Sequence, residues 1–134
     1  MRLPLSSRFL FTFTALFLPI GSHVADYSRT HIFNSKWTPH AKFHTGQTLA
    51  FSIVLGLLTL FFAWSDTNDI RVTLLATASF ASLYWICQTL AILYPGTKYF
   101  DADTKAVYMI GIPAQAWFGM FVFALVSLAC LLAR

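Results

Sequence analysis

GQTLAFSIVLGLLTLFFAWS, residues Gly46–Ser65, contains no charged side chain. Coiled as an α-helix at about 1.5 Å per residue, it would reach about 30 Å, the thickness of a bilayer's hydrocarbon core. Two further stretches are at least as long and equally uncharged: Val72–Tyr94 (VTLLATASFASLYWICQTLAILY) and Val107–Ala133 (VYMIGIPAQAWFGMFVFALVSLACLLA). A shorter one, Phe9–Val24 (FLFTFTALFLPIGSHV), precedes them. Their apolar residues run continuously and do not alternate, which selects helices over a β-barrel. The expected fold is all-α: a four-helix transmembrane bundle, one integral membrane domain over residues 1–134, with one long polar loop between spans one and two.

Composition points the same way. Hydrophobic residues make up 57% of the chain and charged residues 10%, where a soluble domain carries about 25% charge. The net charge of +4 comes from scattered Lys and Arg that flank the spans, a membrane pattern and not a nucleic-acid one. The first stretch ends weakly, at Pro19 and Gly21, and follows the basic flank MRLPLSSR. A cleavable signal peptide is therefore its competing reading, although no small-x-small cleavage site follows. Cys87 and Cys130 fall at different depths of their spans, so no internal disulfide is expected. The expected location is an integral, multi-pass membrane one, in the endoplasmic reticulum if the cell is eukaryotic.

Four spans place both termini and the loop Ser65–Arg71 on one face, side A. The loops Ala25–Thr45 and Pro95–Ala106 lie on side B. Arg2, Arg8, Arg71 and Arg134 on side A stand against Arg29, Lys36, Lys42, Lys98 and Lys105 on side B. That balance leaves orientation open, with Arg2 and Arg8 leaning towards a cytosolic side A.

All four histidines, His23, His31, His40 and His44, fall in the side B window HVADYSRTHIFNSKWTPHAKFH, with Asp26, Asn34 and Trp37. A loop of this length is more often functional than a mere connector. The plainer alternative is an interfacial loop with His and Trp at headgroup level. Thr38 and Pro39 read as the N-cap and first residue of a helix. His40 and His44 would then share one face at i,i+4. That spacing suits an acid–base pair, or two ligands of a metal completed by His31, His23 or Asp26. Acid–base work is the simpler use, with Asp26, His31, His40 and His44 as catalytic candidates and no metal assigned.

Polar residues inside the spans lie on the same side. Gln88 sits roughly 9 Å, and Gln115 roughly 12 Å, from the side B end of its span at helical rise. Tyr84 and Gln88 share a face of span three, while Tyr108, Gly111, Gln115 and Gly119 form a stripe on span four, which Pro113 should kink. Gln47, Thr48 and Ser52 descend from side B on span two. Trp37, Tyr84, Gln88, Tyr108 and Gln115 are the substrate-binding candidates; the alternative is that such groups only bond helices together. The side A half is almost wholly apolar and no ionisable residue sits at mid-membrane, which disfavours a channel or pump.

The string Thr30–Thr48, THIFNSKWTPHAKFHTGQT, resembles the signature of a little-studied family of small four-span membrane proteins of fungi and bacteria. The resemblance implies the four-span fold and brings no activity with it. Small membrane proteins of this general kind also occur alongside fungal specialised-metabolite enzymes. In layout alone the chain is similar to emopamil-binding-type sterol isomerases, whose acidic residues within the spans have no counterpart here.

The expected function is a small integral-membrane enzyme performing cofactor-independent acid–base chemistry, namely isomerisation, cyclisation or epoxide hydrolysis. Its substrate would be a lipophilic small molecule, in the setting of specialised-metabolite biosynthesis. No nucleotide or haem motif is present, so no cofactor is expected. Expected partners are the substrate and membrane lipids, with no nucleic acid and with the oligomeric state left open. The rival expectation is a non-enzymatic accessory or lipid-binding protein whose histidine-rich loop docks a partner.

Overall fold

A computed structural model describes residues 1–101 and 105–133. Helix α1 spans Leu5–Asp26, α2 Pro39–Trp64, α3 Ile70–Leu90 and α4 Ala114–Leu132. A 3₁₀ turn, Ala91–Leu93, continues α3, and a short hairpin of β1 (Tyr108–Met109) and β2 (Ile112–Pro113) precedes α4. All four helices are long and apolar enough to cross a bilayer. The chain is an all-α, four-helix, multi-pass membrane protein.

Each helix packs on its neighbour in sequence, and α1 also closes against α4. The result is an up-and-down bundle with both ends of the chain on side A. Helix starts follow local chemistry. The Thr38 hydroxyl accepts from the Ala41 amide at 3.2 Å, with Pro39 at the first helical position. The Asp69 carboxylate accepts from Arg71 N at 2.8 Å and Val72 N at 3.3 Å.

The helices depart from the expected spans at several ends; α2, for one, starts at Pro39, seven residues before Gly46. The first helix is longer than Phe9–Val24, running from Leu5 through Pro19 to Asp26. Pro19 cannot donate to the Ala15 carbonyl, yet the helix does not end there. The neighbouring helix comes up against that carbonyl: a Cβ added to Gly56 would lie 2.6 Å from Ala15 O and 3.5 Å from the Pro19 ring. A glycine hydrogen therefore occupies this place and faces the oxygen, a weak Cα–H···O contact. The fourth helix is shorter than Val107–Ala133. Pro113, expected to kink it, stands instead at its N-cap with extended backbone. Residues 107–113 form the hairpin, with Tyr108 opposite Pro113 and Met109 opposite Ile112. Its tip, Ile110 (φ 53°) and Gly111 (φ 73°), has positive φ at both positions, the mark of a type I′ turn.

The interior is lined by Phe11, Leu18, Leu55, Trp85, Val122 and Val126, while large apolar side chains such as Phe9, Leu57, Phe61, Leu75 and Leu131 point outward. That outward face suits lipid. Phe17 sits among Phe13, Trp85, Phe118 and Phe121, with ring centroids 5.8–6.1 Å away. Small polar residues join helices: Ser22 Oγ donates to Ser52 Oγ at 2.8 Å, and Ser7 Oγ to Ala129 O at 2.8 Å. Buried Thr14, Thr59 and Thr77 satisfy their hydroxyls on carbonyls of their own helices.

Side A is closed by a strap. Arg2 grips Asp66 with Nε–Oδ1 at 2.7 Å and Nη2–Oδ2 at 2.6 Å, and Thr67 N donates to Met1 O at 3.0 Å. The Arg8 guanidinium lies 3.8 Å from the Trp64 ring centre.

Candidate functional site

Because α1 continues to Asp26 and α2 begins at Pro39, the side B loop is only Tyr27–Thr38, shorter than the Ala25–Thr45 of the sequence reading. It folds into successive tight turns. Ile32 N donates to Asp26 O at 3.2 Å, Phe33 N to Ser28 O at 3.0 Å and Asn34 N to His31 O at 2.9 Å. The Asn34 side chain ties the loop at both ends, donating to Thr30 O at 3.1 Å and accepting from Lys36 N at 2.9 Å. Asn34 is thus a builder of the loop and not a group converging on the mouth.

These turns set His31 beside the end of α1. Its Nε2 lies 3.5 Å from Asp26 Oδ1 and its Nδ1 2.9 Å from Thr30 Oγ1, which in turn lies 2.9 Å from Ser28 Oγ. An ionised carboxylate accepts only, so Nε2 carries the proton facing Asp26. Neutral His31 then accepts the Thr30 proton at Nδ1, and Thr30 accepts from Ser28. When His31 is protonated, both hydroxyls reverse: Nδ1 donates to Thr30, and Thr30 to Ser28. The same atom positions serve either direction of the hydroxyl chain. Trp37 supports the ring edge-on at 5.2 Å.

Thr30, His31, Trp37 and Gln115 line a cleft of about 640 Å³ at the side B mouth, with Lys98, Tyr99, Phe100, Asp101 and Lys105 opposite. Tyr99 and Gln115 also line a small neighbouring crevice, walled by Trp85, Gln88, Thr89 and Gly119. Gln88 and Gln115 therefore share one cavity on the histidine side, as their spacing suggested. The depth of Gln115 differs from expectation, because α4 starts at Ala114 and Gln115 is its second residue. It still meets Gln88, since α3 itself ends at Leu90. Tyr84 is half-buried beside Trp85, at 5.6 Å between rings, within electrostatic reach of Asp26.

Other candidates stand elsewhere. Tyr108 belongs to the hairpin and not to a helical stripe with Gln115; it is exposed and packs 5.3 Å from the Phe100 ring. His40 and His44 do share a helix face, with Nε2 atoms 3.1 Å apart. Gln47 Oε1 accepts from His44 Nδ1 at 3.2 Å, so His40 is the donor within the histidine pair. Their face, with Phe43 and Gln47, is exposed, whereas α2 turns Leu49, Ser52, Leu55 and Gly56 inward. The pair thus points away from the mouth, and Asp26 has His31 as its partner instead. His23 Nδ1 donates to Pro19 O at 2.8 Å. Thr48 bonds back to His44 O and Ser52 to Ser22, both structural uses. Among the described residues, no three His, Cys, Asp or Glu side chains gather in a group that could hold a metal ion.

Sequence reasoning passed over Thr30, Tyr99 and Trp85 as site residues. Thr30 had a signal, its place beside His31; the other two had none, since only the packing of α3 against its following loop and α4 turns them towards one space. No curated protein and no solved structure matches this chain. One family model does, over residues 10–134, so that it takes in most of α1, the other three helices, the loop and both cavities: the chain belongs to DUF6640, a family of unknown function.

Proposed function

We propose that the protein is a membrane enzyme carrying out acid–base isomerisation, cyclisation or epoxide hydrolysis on a lipophilic small molecule. His31 and Asp26 are the proton-transferring pair. The observation that carries this reading is the relay Ser28–Thr30–His31–Asp26, set on the wall of a cleft at the membrane face. A lipophilic substrate would enter from the bilayer or its interface and meet an imidazole held between a carboxylate and a hydroxyl chain that can run either way. Carboxylate-oriented histidine of this kind is a common general base and acid. Trp37, Gln88 and Gln115 would hold the substrate. In a eukaryotic cell the endoplasmic reticulum is the membrane this reading favours, and specialised-metabolite biosynthesis is its natural setting.

The test compares lipophilic extracts of the native organism lacking this protein and complemented with wild type, His31→Ala or Asp26→Asn. A product isomeric with its precursor, or heavier by one water, is expected with wild type only, at equal protein levels in the membrane. Identical extracts from all four strains would sink the enzymatic reading. The exposed His40, Phe43, His44 and Gln47 face supports the second reading, a partner-docking role. Loss of a co-purifying membrane protein on His40→Ala/His44→Ala substitution would favour it.

A further inference from the structure

Trp85 is only 7% exposed, and its indole N–H has no hydrogen-bond partner among the described residues. One turn along α3, the Gln88 Oε1 is likewise buried and unpartnered. Both residues wall the crevice, and Gly119 of α4 faces the Trp85 ring, where an added Cβ would come to 3.9 Å. The buried serines and threonines of α1 and α2 are satisfied by carbonyls or by one another; besides this pair, the one buried polar side-chain atom without a hydrogen-bond partner among the described residues is Arg8 Nε at side A, whose guanidinium stacks on Trp64. An orphaned donor and an orphaned acceptor together are therefore an exception within this fold. Burying them unpaired costs free energy that an apolar pair would not.

What would complete them is constrained by chemistry and by size. The missing group must accept from Trp85 Nε1 and donate to Gln88 Oε1. A hydroxyl does both; an ether, ketone or ionised carboxylate only accepts, and an ammonium only donates. The crevice has room, about 10 Å³, for the centre of a single water-sized group. Tyr99 and Gln115 wall both this crevice and the cleft, so the proposed route for an oxygen carried on a larger molecule is from there. We propose that the Trp85–Gln88 crevice is a hydroxyl-reading subsite, and that the ligand of this protein is a neutral lipophilic alcohol whose OH seats there. This rests on the cleft being a ligand site, but not on Asp26 and His31 being catalytic.

The experiment uses full-length His31→Ala protein, labelled with ¹⁵N-tryptophan, in phosphatidylcholine nanodiscs. The indole N–H resonance of Trp85 is assigned by its loss in Trp85→Phe. 1-Dodecanol, its methyl ether and dodecanoate are titrated separately. The alcohol should move the Trp85 resonance downfield and saturably, at a concentration about tenfold or more below that needed for the ether. In Gln88→Leu the alcohol and the ether should titrate alike. Equal response to alcohol and ether in the unsubstituted crevice would overturn the proposal. So would a Trp85 resonance that neither moves, the result if the pair is served by a resident water, or one that dodecanoate moves at lower concentration. Because His31 is absent throughout, a hydroxyl preference found here stands even if no turnover is ever detected, and turnover without such a preference would leave only the enzymatic reading.

Discussion

Asn34 places His31 without touching its imidazole. Its amide N–H and carbonyl oxygen each close a turn of the loop, on Thr30 O and Lys36 N. Asn34→Ala should free both groups and let the Thr30–His31 segment wander. Product formation should then fall by about tenfold, because catalytic groups lose rate steeply with misplacement, at unchanged protein level in the membrane. Comparing products in complemented membranes with immunoblot intensity checks it. His40→Ala/His44→Ala, by contrast, should leave product within about twofold of wild type, since the pair faces outward on α2; a larger loss would move the catalytic histidine from His31 to this pair, 9 and 13 residues along the chain. Here sequence proximity misled. Clustering in the chain brought all the histidines into one window, but a helix face and a loop turn send neighbours in opposite directions. That His31 and not His40 meets Asp26 follows from where α1 stops.

At the scale of elements, the contact of α1 with α2 depends on Gly56. An added methyl there would stand 2.6 Å from a backbone oxygen that has no side chain to rotate away. Gly56→Ala should destabilise the bundle by about 1–3 kcal/mol, the usual range for overpacking. Thermal unfolding in nanodiscs would show a lowered midpoint, and no change would mean that the helices slide apart without cost. The hairpin tip offers the opposite sign. Ile110 is β-branched yet held at φ 53°, a region costing an ordinary residue about 1–2 kcal/mol. Ile110→Asn should therefore raise stability by up to about 1 kcal/mol, read in the same way. The sequence stripe through Val107–Ala133 was legible as apolar, but apolarity alone did not separate hairpin from helix. Pro113 decided it, by lacking the N–H that a continuing helix would need.

For the whole molecule, α1 is part of the core. Phe11 is fully buried, Ser7 bonds to α4, and α1 packs on each of the other three helices. A glycosylation acceptor placed at the N-terminus and one placed in the Tyr27–Thr38 loop should report opposite faces of the membrane. The strap at side A adds a pH dependence. The hydrogen bond from Arg2, its largest influence, holds the Asp66 carboxyl below the usual carboxylate range. A depressed folded-state value means that the contribution is present above the unfolded value, about 3.9, and is lost as pH falls through the lower folded one. Asp66→Asn should thus flatten the acid limb of the stability curve below about pH 4 and leave its shape above pH 5 unaltered. A wild-type acid limb in the variant would mean that the strap contributes nothing.

Membrane residence, helix number and the helix start at Thr38–Pro39 were determined by the sequence itself. A run of uncharged residues long enough to cross a bilayer has few other places to go, and capping is a matter of neighbouring residues. The meeting of Gln88 with Gln115 also followed from sequence, because both lie near one end of their spans. The tertiary structure alone decided which histidine has a carboxylate partner, that Trp85 and Gln88 are left unpaired, and that Gly56 must have no side chain. Each of these depends on how far a helix rotates and how closely two backbones approach. Those quantities are set by the packing of all four helices together, and no local stretch of residues encodes them.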